Sequence, residues 1–324
     1  MISIKNKFKS CWNKVVLIFL MGSCTGCQMT TCQLNPVIAC PPVISAVQNP
    51  SAFEALTSEE LEQDWAKEML IGEVFAREWD LYRAITSYKR ALILLASEND
   101  CRCLQIHYDI IFCYYLGKKY SEAICAFESS PLVQATPRFP AFNQLLIMMY
   151  DCYIQIKNET KAEEFLEKIQ KFSPETALDL GIYTDLVQSN ICEVQNKIDG
   201  HPDACELQSD LDLYYEYSKS PSKARQLNAL LPGAGYYYVG QKKAALTSFI
   251  INTLFILASY ECFKHGYPAA GLITASLETG WYVGGINGAG IEAQEFNNRL
   301  FEGISTKMLK EHYCFPILMF ETSF

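Results

Sequence analysis

The chain has 324 residues, 50% of them hydrophobic and 19% charged, which suits a sizeable core and excludes wholesale disorder. Its net charge is −9 and it has no long basic run, so nucleic acid is not expected as a partner; phosphate binding needs a concentrated positive surface. The 14 cysteines contain no pair of CxxC motifs at a finger-like separation, which argues against a structural zinc site.

Positions 1–24 carry the pattern of an export signal. Lys5, Lys7, Lys9 and Lys14 precede any acidic residue, an apolar run follows over 15–21, and Gly22-Ser23-Cys24-Thr25-Gly26-Cys27 supplies a small-residue exit. The apolar run is shorter than the roughly 20 residues a bilayer span needs. A small residue before a Cys resembles the bacterial lipobox, with Cys24 and Cys27 as the two candidates for lipidation. A plain signal and a cytosolic helix are the alternatives. Residues 25–55 hold Pro36, Pro41, Pro42 and Pro50 and little periodicity, which reads as an extended linker.

Residues 56–200 are rich in helix formers. Thr57-Ser58-Glu59-Glu60 is a helix start, with a capping hydroxyl and acids in the first turn. Gly72, Phe75, Ala84, Tyr88 and Ala91 then follow at gaps of 3, 9, 4 and 3. Gly72 and Ala84 are small enough for two antiparallel helices to approach, Phe75 and Tyr88 fill the space between them, and Ala91 receives the next unit. A second set has Tyr114, Tyr120, Ala123 and Phe127, with a turn at Gly117-Lys118-Lys119; a third has Tyr153, Ala162 and Leu166 and ends at Pro174. Ala84, Ala123 and Ala162 are equally spaced along the chain. Cys113, Cys125 and Cys152 fall within these helical patterns, where a free Cys behaves as a small buried hydrophobe. A helix opened by Pro174 and running to about Ile198 is expected to cap the array. A connecting helix is placed in 201–228.

These spacings resemble the tetratricopeptide repeat, whose usual period of about 34 is somewhat shorter than the interval here. Ile111 and Tyr150 stand where the second and third copies would hold the small residue seen at Gly72. The resemblance implies stacked helix pairs with a concave groove for an extended peptide or partner helix, hence protein binding and not catalysis.

Composition shifts near Ala229, and residues 229–292 read as a hydrophobic helical hairpin. The stretch 244–263 contains Leu246, Phe249, Ile250, Ile251, Leu254, Phe255, Ile256 and Leu257. At about −0.3 to −0.6 kcal/mol each, these eight supply about −2 to −5 kcal/mol toward insertion. The turn is placed at 264–268. In the second stretch, Ser276, Gly280, Gly284 and Gly288 recur every four residues and share a helix face, the small-xxx-small pattern of close membrane-helix packing. Glu261 and Glu278 are the intramembrane acids, Glu261 near one end and Glu278 off the glycine ridge. A buried soluble helical pair is the alternative. Pro232, Gly233, Gly235, Tyr238, Gly240, Trp281, Tyr282, Gly284 and Asn287 resemble a Pro-Gly-x-Gly-x-x-Tyr-x-Gly module of bacterial envelope proteins, which implies location more than mechanism. Residues 293–324 form a tail.

The chain has four histidines (His107, His201, His265 and His312) and none of HExxH, GxSxG, GxxxxGK[ST] or GxGxxG after a strand. The expected protein is therefore all-α, a tetratricopeptide-like array followed by a transmembrane hairpin, with no enzymatic activity, cofactor or metal. The expected role is a scaffold in the bacterial cell envelope that binds protein partners and membrane lipid, with homo-oligomerisation through the hairpin. A transport or channel component built on the glycine ridge is the alternative.

Overall fold

The computed structural model describes residues 34, 36–38, 49–95 and 101–324. The segment expected as an export signal, with Cys24 and Cys27, and most of the expected linker lie outside the described residues. Two compact units are present: one holds residues 221–294, the other 36–220 together with 295–324. Both are helical, and no strand occurs among the described residues.

The larger unit is a repeat-like array. Its helices are α1 (Ser58–Leu61), α2 (Asp64–Arg77), α3 (Leu81–Leu94), α4 (Cys101–Leu116), α5 (Tyr120–Glu128), α6 (Phe142–Gln155), α7 (Glu159–Phe172), α8 (Pro174–Val187), α9 (Ile191–Ile198) and α10 (Ala204–Tyr217). Thr57 and Glu60 form a reciprocal capping box at α1, Thr57 Oγ1 accepting from Glu60 N and Glu60 Oε2 accepting from Thr57 N. Consecutive helices pair as α2/α3, α4/α5, α6/α7 and α8/α9.

One turn joins the two helices of every pair. Trp79, Lys118, Lys157 and Ser189 each adopt positive φ, between 56° and 63°. The next residue's N–H returns to the carbonyl five positions back, as in Asp80 N to Phe75 O and Lys119 N to Tyr114 O, which satisfies orphan carbonyls at the helix end. Five positions after each turn residue stand Ala84, Ala123, Ala162 and Val194, all buried. The fourth pair was hidden in the sequence by its shorter spacing and by Val in place of Ala. The single helix expected over 174–198 is thus two helices broken at Ser189-Asn190.

The smaller unit contains α11 (Pro221–Leu230), α12 (Ala234–Tyr238), α13 (Lys242–Lys264) and the first part of α14 (Pro268–Glu311). The connecting helix expected over 201–228 is accordingly two, α10 and α11, and the expected tail begins as helix through Glu311. The Pro-Gly-x-Gly residues have a steric reason. Gly233 has φ of 91° and donates its N–H to Asn228 Oδ1 at 2.9 Å. A Cβ at Gly235 would lie 2.7 Å from Ala289 Cβ and 2.8 Å from Asn228 Cβ. Glycine lets α11 and α12 close onto α14.

In the α13/α14 hairpin the usual distribution is reversed. Ser248, Asn252, Ser259 and Glu278 are buried, and Ser259 Oγ donates to Thr274 Oγ1 at 2.9 Å. Leu246, Leu254, Leu257, Leu272, Ile273, Leu277 and Trp281 are exposed. Helix α13 is the one described helix long and apolar enough to cross a membrane: its best window has a mean hydropathy of 1.5 and is 17% buried. The glycine ridge is not the contact between the two helices. Ser276, Gly280 and Gly284 are not buried, and nothing lies within 4 Å of a Cβ built on Gly280 or Gly284. Gly288 faces the Tyr236 hydroxyl instead. The inward face carries Gly271, Glu278, Ala289 and Ala293, a register set by the buried polar groups. Glu261 is exposed beside Lys264 and His265, and no hydrogen bond or ion pair joins it to Glu278.

Candidate functional site

The predicted repeat residues lie between helices and shape the array from within. Gly72 has no side chain because the Tyr88 ring covers it: a Cβ there would sit 2.8 Å from two ring carbons. Phe75 receives Arg83 at 5.5 Å and Tyr114 receives Lys89 at 5.6 Å, both as cation–π contacts. Phe127 meets Phe165 edge-on at 5.9 Å, Tyr153 meets the same ring at 5.5 Å, and Ala91 is fully buried. Cys113 and Cys152 are buried, as helical spacing suggests, but Cys125 faces solvent. Cys101, Cys113, Cys125, Cys152, Cys192, Cys205, Cys262 and Cys314 are free thiols.

The first helices of the pairs present a second set of side chains that the repeat spacing does not reveal. Phe112, Asp151 and Tyr183 occupy one register position, six before the turn residue, in α4, α6 and α8. Together with Tyr115, whose hydroxyl reaches Asp151, they form a floor. Asp151 accepts from Tyr115 at 2.7 Å, from Tyr183 at 3.0 Å and from Gln155 at 3.0 Å. Burial raises its pKa, and these three donors pull the other way.

Residues 312–324 of the same chain lie on that floor. After Glu311 the backbone turns at Tyr313 (φ 56°), passes through a short 3-10 turn at Pro316–Met319, and extends to Phe324. Phe315 packs edge-on to Tyr183 at 6.0 Å. Phe320 sits 5.8 Å from Phe112 and 5.6 Å from Tyr115. Phe324 sits 4.8 Å from Phe112 and 6.4 Å from Tyr88. The Phe320 and Phe324 rings are both buried. At about 1.5–3 kcal/mol for each fully buried large apolar side chain, they are the main anchors.

Between the two rings, Gln144 grips the main chain. Its Nε2 donates to Thr322 O at 2.9 Å, and its Oε1 accepts from Thr322 N at 3.3 Å and from Thr322 Oγ1 at 2.6 Å. A carboxamide is the side chain that can offer a donor and an acceptor at once to a peptide unit. Residues 49–51 close the other side: Asn49 Nδ2 donates to Phe320 O at 2.8 Å, and Ser323 N donates to Pro50 O at 3.0 Å. The groove therefore holds the segment through the Phe315, Phe320 and Phe324 rings, and its extended last residues by main-chain hydrogen bonds.

No known protein family, curated protein or solved structure matches this chain.

A second cluster lies where the terminal segment leaves α14. His201 Nε2 contacts Asp179 Oδ1 at 2.9 Å, while its Nδ1 accepts from Asp203 N at 3.0 Å. That acceptor role fixes the tautomer, so the ring proton sits on Nε2 and points at Asp179. His312 Nδ1 lies 2.8 Å from Asp203 Oδ2, and the two imidazole rings are 6.3 Å apart. The histidines, distant in sequence, thus meet in space. Cys314 joins them, its thiol donating to His312 O at 3.4 Å. Burial is the main force pushing that thiol up to about 12, so it stays protonated and makes no activated nucleophile. The cluster is a set of hydrogen bonds that pins the start of the terminal segment to α8 and the loop after α9.

Two features of the groove were absent from the sequence reading: Gln144 and the ligand-like segment ending in Phe320 and Phe324. One signal could have found the clamp. Gln105 and Gln144 recur at the same register position relative to the turn residues Lys118 and Lys157. Arg102 already engages Gln105, at 2.8 Å, which leaves Gln144 as the carboxamide that reads a peptide.

Proposed function

We propose that this protein is a membrane-anchored helical-repeat scaffold of the tetratricopeptide type that binds an extended peptide of another protein in the bacterial cell envelope. The observation that carries the reading is the grip of Gln144 on both the N–H and the C=O of Thr322. A groove that reads main chain recognises extended chains as a class, and flanking sockets select among them. The spacing of Gly72, Phe75, Ala84, Tyr88 and Ala91 supports the repeat type. Apolar side chains outside and polar ones inside the α13/α14 hairpin support burial in lipid, where polar groups must find partners within the protein. The positive, apolar and small-residue pattern over positions 1–24 supports export, with Cys24 or Cys27 as a lipid attachment point.

A photo-crosslinking residue at position 112, in cells, tests both halves of the reading. The expected result is a defined adduct in the membrane fraction that disappears when Gln144→Ala is added. An unattached protein in the cytosol, or an adduct indifferent to Gln144, would overturn the proposal.

A further inference from the structure

Resting on the groove reading above, we infer that the segment 315–324 is a resident ligand that a partner displaces. The partner presents an extended peptide with two aromatic side chains four positions apart, the second bearing a hydrogen-bond donor.

Three observations lead there. From Phe320 onward the grip is on the main chain and hydroxyl of Thr322 and on two rings, so another chain with the same ring spacing makes the main-chain and ring contacts. The segment also fits incompletely. In the cavity that Phe324 lines, Asp109 is 2% exposed, and its Oδ1 has no hydrogen-bond partner. The Tyr88 hydroxyl, on a residue lining the same cavity, has none either. Phe324 fills the apolar socket and leaves these polar atoms unmet, which is unfavourable for buried groups. An incoming Tyr or Trp fills the same socket and brings a donor. Finally, ordering the segment opposes the burial of its few anchors with a term of similar size, so its hold on the groove is a small difference. Covalent attachment offsets this by giving the segment a local concentration on the order of mM.

The chain thus carries its own competitor. A free peptide meets a groove that is already occupied, and its apparent affinity falls by the fraction of molecules that are open. A partner with the better second ring, or one held close on the same membrane, overcomes that competition.

The test uses the full chain in detergent micelles and a labelled peptide with the sequence of residues 316–324. Fluorescence anisotropy compares wild type with the Phe320→Ala/Phe324→Ala variant. The variant is expected to bind the peptide on the order of 100-fold more tightly. A peptide with Tyr in place of its last Phe is expected to bind more tightly still, and equal affinity for the two peptides would overturn the donor requirement. If wild type binds as tightly as the variant, the segment is not a competitor, although the groove reading stands. If neither binds, or if Gln144→Ala changes nothing in the variant, the groove reading itself fails. Should the variant not fold, hydrogen exchange on wild type decides the matter. The Thr322 and Ser323 amides are expected to exchange at least about 10-fold faster than the Phe112 amide, through local opening. Exchange of all three at one rate would make the segment a permanent part of the core.

Discussion

Replacing Gly72 by Ala separates a repeat packing position from an ordinary helix position. In an exposed helix the change gains about 1 kcal/mol, because glycine is a poor helix former. Here the new Cβ would lie 2.8 Å from two carbons of Tyr88, against a carbon–carbon optimum of about 3.5–4.0 Å. The ring has little room to retreat: Tyr88 is fully buried, and Phe324 stacks on it with an interplanar angle of 20°. Overpacking of this kind costs about 1–3 kcal/mol. Set against the propensity gain, this leaves a net loss of about 0–2 kcal/mol, or a melting point lower by up to roughly 8 °C for a chain of this size. The assay is thermal unfolding of the full chain in micelles by far-ultraviolet circular dichroism, with the Gly72→Ala/Tyr88→Leu double variant alongside. In the double-mutant cycle the smaller side chain should relieve at least about 1 kcal/mol of the overpacking. A Gly72→Ala protein more stable than wild type, with no coupling to position 88, would refute the packing.

Four more outcomes follow from the geometry. Lys118→Gly relieves a positive-φ turn (56°) and should raise stability by about 0.5–1 kcal/mol in the same melts. Phe301 packs edge-on to Tyr214 at 5.4 Å and is fully buried, so Phe301→Ala should cost about 3–5 kcal/mol. Leu254 is 60% exposed; Leu254→Lys should leave a soluble protein unchanged but oppose lipid insertion by about 3 kcal/mol, read as loss from carbonate-washed membranes. Burial pushes the Asp109 carboxyl well above its usual range. The folded state therefore holds that proton more tightly, and the stability it contributes is present at low pH and lost as pH rises through the folded value. Asp109→Asn should flatten that part of the stability–pH curve, as denaturant titrations from acid to neutral pH would show.

The legible part of this fold was the part that repeats. Small residues at Ala84, Ala123 and Ala162 face a neighbouring helix in each copy, and equal spacing exposes them. The fourth pair escaped because Val194 replaces Ala, and because its turn residue Ser189 follows Lys157 at a shorter interval than Lys157 follows Lys118. The four-residue spacing of small residues in α14 could not tell which face meets α13. Buried polar groups such as Ser259 and Glu278 decide that, and they point away from the ridge. The groove was least legible. Its floor joins residues from α4, α6 and α8, its clamp is a single Gln144, and its occupant is separated from that clamp by 178 positions. No local pattern encodes a contact of that range. The pairing of His201 with His312 escaped for the same reason.

Phe112 and Gln144 on the array hold an extended segment of the same chain. A benzoyl-phenylalanine placed at position 324 of the full chain, irradiated in micelles and mapped by mass spectrometry, tests it most directly. Intramolecular adducts on positions 108–116 of α4, and on Tyr88, are the predicted result. Adducts scattered over other helices, or none within the chain, would contradict it.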